Sequence, residues 1–182
     1  LDFGGSPAAP TAEFRRFLRR SFGLSMSWPA VWLIGILVLS VRSPDAWIHP
    51  VVYTEDGYWV GYALTQGWGA AFLWAKREYL VWGNILLLWI STRLSHILSG
   101  NPLWYLPETI TFVSYGFFSA LATYAWSVSR AWVSSRASWL LFFFLLLLPL
   151  GKTANEILGR LSNTGFAFAF LNVLLLFSRK SF

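Results

Sequence analysis

The sequence predicts an all-α protein, a polytopic transmembrane helical bundle of about five membrane segments with interfacial helices beside them. Three observations predict it. Hydrophobic residues make up 56% of the 182 residues and aromatic residues 19%, whereas charged residues supply 12%, about half the usual share in a soluble domain. The apolar residues are gathered into long runs. Those runs are continuous and do not alternate with polar residues, which selects helices over a β-barrel.

The runs are Trp28 to Val41, Tyr79 to Leu98, Tyr105 to Val128, Trp139 to Leu150 and Phe166 to Phe177. At ~1.5 Å rise per residue, about 20 residues cross a ~30 Å hydrocarbon core. Tyr79 to Leu98 and Tyr105 to Val128 reach that length outright, and Trp139 to Leu150 needs its Ser/Trp flank to complete a crossing. Ser99-Gly100-Asn101-Pro102 is a turn signal between the second and third runs.

Residues 1–24 read as a cytoplasmic tail. Leu1 to Thr11 is rich in Gly, Ala and Pro, a disordered composition. Glu13 to Gly23 then sets Arg15, Arg16, Arg19 and Arg20 among Phe14, Phe17, Leu18 and Phe22 at helical spacing, the pattern of a basic amphipathic helix on a membrane surface. By the positive-inside rule these arginines hold the N-terminus in the cytoplasm. Residues 25–182 then read as a transmembrane module, with an extracytoplasmic loop over 43–78. Between Tyr58 and Ala75 that loop is dense in Tyr and Trp, the residues of interfacial helices. Strict alternation places Arg130 and Arg136 outside and Glu156 inside; charge bias argues the reverse, and a re-entrant segment broken at Pro102 or Pro107 would reconcile them. The chain lacks an initiator Met and stops after an apolar run, so it is expected to be truncated at its C-terminus.

With no cysteine, disulfide scaffolds, thiolate zinc sites and cysteine nucleophiles are excluded. The net charge of +6 is scattered beside apolar runs, where basic residues anchor helices to anionic headgroups; no nucleic-acid patch is expected.

Chemistry is expected first at Tyr53-Thr54-Glu55-Asp56-Gly57-Tyr58-Trp59. As plain structure, Asp56-Gly57 is a turn and Glu55 a hydrated loop acid. As chemistry, carboxylates partly desolvated among Tyr53, Tyr58 and Trp59 become better bases. Asp45 and His49 share the loop, so Asp56 is also a candidate metal ligand for a divalent cation (Mg2+ or Mn2+). Arg93, near the interior of an apolar run, is expensive there unless it is paired or faces a cavity. Glu156 with Asn155 and Asn163 forms a second polar cluster, whose plain reading is helix caps and a solvated acid. His96 and Glu108 read as interface anchors.

Three stretches in order carry a resemblance: Tyr53-Thr54-Glu55-Asp56-Gly57, then Arg93, then Glu156-Ile157-Leu158-Gly159-Arg160-Leu161-Ser162-Asn163-Thr164-Gly165-Phe166. Over about Trp28 to Phe177 the chain resembles the GT-C superfamily of polytopic glycosyltransferases, in particular uncharacterised bacterial members with an aromatic-x-Glu-Asp-Gly stretch after the first helix. It is far shorter than such enzymes, and Arg160 stands where a neutral polar residue is more usual. The resemblance implies transfer of a sugar from a polyprenyl-phosphate carrier to a glycan or lipid acceptor of the cell envelope, on the extracytoplasmic side of a bacterial inner (plasma) membrane that the module would span as an integral protein. It implies Asp56 or Glu55 as general base, the other orienting the acceptor or holding a metal, both facing one recess. Arg93 and Arg77 are the candidates for the lipid phosphate, as guanidinium forks bind phosphate in bidentate fashion. Glu156 and Asn163 are candidates for gripping substrate. The rival expectation is a non-enzymatic membrane protein, a transporter fragment or accessory subunit in which Glu55-Asp56 is only a surface turn.

Overall fold

A computed structural model describes residues 26–75, 82–147, 161 and 165–178. The expected tail and amphipathic helix of residues 1–24 lie outside the described residues. Within them the chain forms eight helices: α1 (Trp28–Arg42), α2 (Asp45–Ile48), α3 (Thr54–Gln66), α4 (Trp68–Ala75), α5 (Trp82–Ser99), α6 (Leu106–Ser129), α7 (Ser135–Leu147) and α8 (Gly165–Ser178). The all-helical expectation holds.

Local chemistry sets several boundaries. Pro29 and Pro107 stand in the first turns of α1 and α6, where a missing N–H costs nothing. Gly67 ends α3 at φ 90°, a conformation that only glycine adopts freely, and so separates α3 from α4. The α5–α6 hairpin is tied by Ser95, whose hydroxyl donates to the Asn101 carbonyl at 3.1 Å and accepts the Tyr105 N–H at 3.0 Å. Asn101 closes the turn by accepting the Leu103 N–H at 2.8 Å.

α6 is the central helix and separates two half-cores. On one side its Leu106, Ile110 and Val113 pack with Trp59, Val60 and Ala63 of α3, Ala71 of α4, Ile85 and Leu88 of α5, and Leu161. On the other side Tyr115, Ala122 and Trp126 pack with Val31 and Leu39 of α1 and Phe142 and Leu146 of α7. α1 and α6 run antiparallel at close range. The Trp32 indole donates to the Gly116 carbonyl at 2.8 Å and the Ser119 hydroxyl to the Trp32 carbonyl at 2.5 Å. Further along, the Tyr115 hydroxyl donates to the Ser43 carbonyl at 2.6 Å, and the Thr111 hydroxyl to the Ala46 carbonyl at 3.1 Å. Arg42 donates to the Leu146 carbonyl, which brings a cation to the C-terminal ends of both α1 and α7.

The polytopic transmembrane bundle is not supported. No helix of the described residues is long and apolar enough to cross a membrane. α1, α7 and α8 have 15, 13 and 14 residues, so even α1 extends only about 22 Å. α5 and α6, with 18 and 24 residues, have the length without the apolarity: Asn84, Ser91, Thr92, Arg93, Ser95 and His96 interrupt α5, while Pro107, Glu108, Thr109, Thr111, Ser114, Ser119 and Thr123 interrupt α6. The same finding argues against the inner-membrane placement as an integral protein. The outward faces of the short helices are nevertheless apolar. α1 exposes Leu33, Leu37 and Val41, and α7 exposes Leu140, Phe144 and Leu147 around a shallow groove.

Candidate functional site

Glu55 and Asp56 are not loop residues. They occupy the first turn of α3, after Tyr53 in an extended conformation, and the Gly57 N–H donates to the Tyr53 carbonyl at 2.7 Å. The expected Asp-Gly turn is therefore replaced by a helix start. Carboxylates there are favoured by the positive end of the helix dipole.

Consecutive helical residues point about 100° apart, as 3.6 residues per turn require, and the pair is divided by it. Asp56 is turned inward and is 1% exposed, whereas Glu55 is exposed. The Asp56 carboxylate accepts the Leu161 N–H at 3.3 Å, across 105 residues of sequence. Leu161 is itself fully buried in the half-core that holds Trp59 and Val60. Leu161, the one described residue of the later Glu-x-Leu-Gly-x-Leu-Ser-Asn stretch, thus meets the acidic stretch at 53–57. The two carboxylates do not converge on one recess, and that expectation is corrected: Asp56 faces the core and Glu55 faces out.

Glu55 stands beside a row of aromatic rings. Glu55, Tyr58 and Tyr62 follow one another at helical spacing on a single face of α3. The rings of Tyr58 and Tyr62 are 6.5 Å apart at 24°, and Tyr62 lies 5.8 Å from Trp74 of α4 at 44°. Tyr58 is 57% exposed and Trp74 39%. Trp59, one residue on, is buried and meets the Tyr58 ring edge-on at 5.6 Å, which fixes the first ring from below. The spacing of this row is visible in the sequence, but Gly57 and Gly61 give the segment the look of broken interfacial pieces.

Arg93 lies on an exposed part of α5, its guanidinium 5.8 Å from the centre of the Trp89 ring. It is exposed and not enclosed by the helices, and its charge is open to an anion. Arg77, Glu156 and Asn163 lie outside the described residues. His96 is exposed at the end of α5, and Glu108 occupies the first turn of α6.

Among the described residues no metal-binding group forms around Asp56, since no three His, Asp or Glu side chains come together. Asp45 and His49 flank the short helix α2 and are not gathered with Asp56, whose carboxylate is engaged by a backbone N–H.

A third polar constellation is not foreseen by the sequence. Tyr115, fully buried, meets Trp47 edge-on at 5.6 Å and hydrogen-bonds Ser43. Burial raises its pKa above the usual phenol value. Burial also lowers the pKa of Arg42 nearby.

Comparison with known proteins finds no family model, no curated protein and no solved structure that matches the chain.

Proposed function

We propose that this chain carries the acidic site of a glycosyltransferase that moves a sugar from a polyprenyl-phosphate carrier to a cell-envelope glycan or lipid acceptor. The observation that carries the reading is the hydrogen bond between Asp56 and the Leu161 N–H. It joins two of the stretches on which the resemblance rests and leaves the neighbouring carboxylate, Glu55, directed outward.

The division of labour follows from exposure. Glu55, open to a substrate, is the general base: its carboxylate takes the proton of the acceptor hydroxyl as that oxygen forms its bond to the anomeric carbon. The bond from the anomeric carbon to the phosphate oxygen breaks, and the phosphate departs with the electron pair. Arg93 supplies a guanidinium for that dianion. Asp56 is a positioning residue, fastening the Leu161 segment against the start of α3. The outward apolar faces of α1 and α7 suit a donor with a hydrocarbon tail.

The test is transfer from a polyprenyl-phosphate sugar by the purified protein. Glu55→Gln is expected to lower the rate by about 10²–10⁴, the usual worth of a general base, with the fold retained. Wild-type rates in Glu55→Gln reject the assignment. A second reading, a non-enzymatic accessory subunit, is favoured by the burial of Asp56, which suits a purely structural fastening; absence of transfer in the unaltered protein selects it.

A further inference from the structure

The half-core that joins α1, α7 and the later part of α6 carries no acid. No Asp or Glu stands between Glu13 and Asp45 or between Glu108 and Glu156, so α1, α7 and all of α6 beyond its first turn lack carboxylates. The charged residues of these helices and of the α6–α7 turn are Arg42, Arg130 and Arg136, all basic.

The same half presents an exposed apolar stripe. Leu140, Phe143, Phe144 and Leu147 recur at helical spacing on one face of α7, away from Ser138, Phe142 and Leu146, which are buried. Leu140 is 71% exposed and Phe144 60%, and with Leu141 the stripe lines a shallow groove that holds no polar side chain. α1 lies beside α7, where the Phe142 ring stands against Gly35, and adds the exposed series Leu33, Leu37 and Val41. At the N-terminal end of α7 the α6–α7 turn exposes Trp132 and Val133. Arg130 is exposed there too, its guanidinium 4.9 Å from the centre of the Trp126 ring, a contact that leaves its charge uncancelled.

Tryptophan and arginine at the edge of an apolar face are suited to the headgroup level of a bilayer, the indole at the boundary and the guanidinium on lipid phosphates. A second copy of this face offers Arg130 no carboxylate, whereas anionic headgroups supply the missing charge. With 13 residues, α7 is about 20 Å long, short of a ~30 Å hydrocarbon core. A helix lying in the interface needs to bury only its outer face, to a depth of about 5–10 Å.

We infer that the α7 stripe and the α6–α7 turn form a docking surface for one leaflet of an anionic bilayer, α7 lying in the plane of the headgroups without crossing the membrane. The surface needs no polyprenyl phosphate and stands whether or not the chain transfers sugar.

Flotation of the full chain with phosphatidylcholine vesicles, with and without phosphatidylglycerol and containing no polyprenyl phosphate, tests it. The expected result is recovery with the anionic vesicles and several-fold less with the neutral ones, the difference shrinking as salt is raised. Leu140→Gln combined with Phe144→Gln lowers recovery by roughly tenfold or more, and Arg130→Gln removes about fivefold of the preference for anionic vesicles. All three positions are exposed, so the helical circular dichroism stays unchanged. Because the chain has no cysteine, a spin label on Phe144→Cys reads depth directly and is expected in the outer part of one leaflet. No recovery with either vesicle, equal recovery with both, unchanged recovery in the double variant, or a label that stays in water overturns the proposal. Recovery only after polyprenyl phosphate is added overturns it too, assigning the face to a single lipid. So does self-association without vesicles that the double variant abolishes, which assigns the face to a second copy.

Discussion

Ser119 occupies the space that a side chain at Gly35 would need: a Cβ on Gly35 would stand 2.0 Å from the Ser119 hydroxyl oxygen and 2.9 Å from its Cβ. That hydroxyl is not free to retreat, since it donates to the Trp32 carbonyl one turn back on α1. The absence of a side chain at 35 is what lets α1 lie against α6.

Gly35→Ala is therefore expected to destabilise by about 1–3 kcal/mol, the cost of overpacking a close contact. Gly61 is the matched control, exposed on α3, where an added Cβ would meet nothing within 4 Å. Gly61→Ala should stabilise by up to about 1 kcal/mol through helix propensity alone. Denaturant midpoints measured on both variants check the pair, and a shift of the same sign in both would contradict the account.

Tyr115→Phe should alter the alkaline limb of the stability curve. The phenol's pKa is raised in the folded protein by burial, so its contribution is full below the unfolded value, ~10, and is lost as pH climbs from there through the folded value. The unaltered protein should lose stability above about pH 10 faster than Tyr115→Phe. At neutral pH the variant should be less stable by about 0.5–1.5 kcal/mol, for want of the hydrogen bond to Ser43. Thermal melts at about pH 7 and about pH 10.5, either side of the unfolded phenol value, read both effects.

Asp56→Ala is expected to cost about 1–3 kcal/mol, because it strips a buried N–H of its acceptor at Leu161. Glu55→Ala, at an exposed position in the same turn, should leave the midpoint nearly unchanged. Equal losses in the two would show that the acids do not differ as their exposures indicate.

Ser95→Ala should loosen the α5–α6 hairpin. Its hydroxyl serves one donor and one acceptor of the turn, and a loss of about 1–3 kcal/mol is expected, with faster amide exchange at Tyr105. Ser99, exposed and bonded to the same Asn101 carbonyl, should tolerate alanine better.

Helix positions are legible in the sequence because apolar runs and their punctuation are local properties. The run Tyr105 to Val128 corresponds to Leu106–Ser129, and Trp28 to Val41 to Trp28–Arg42. Membrane crossing is not legible from the Leu, Phe and Trp of those runs alone, because the hydroxyl residues of α5 and α6 lower their apolarity. Within a helix these residues satisfy themselves on the carbonyl four residues back: Thr92 on Leu88 at 2.7 Å, Thr123 on Ser119 at 2.8 Å. At the acidic pair, Gly57 suggests a turn, and the helix that forms instead splits Glu55 from Asp56. The Leu161 contact has no side-chain signature to find, being made by a backbone N–H. The aromatic row needs only the helical period, which becomes usable once 54–66 is known to be a helix.

The Asp56 fastening spans most of the chain, and this bears on how the protein comes into being. On a ribosome the acid emerges 105 residues before its partner, so the start of α3 must wait, carboxylate exposed, until Leu161 arrives. Contacts of such separation close slowly, because the entropy of the intervening loop is lost before they form. The acidic turn should be among the last parts of the molecule to mature, and a nascent chain halted short of residue 161 should hold Asp56 open to solvent.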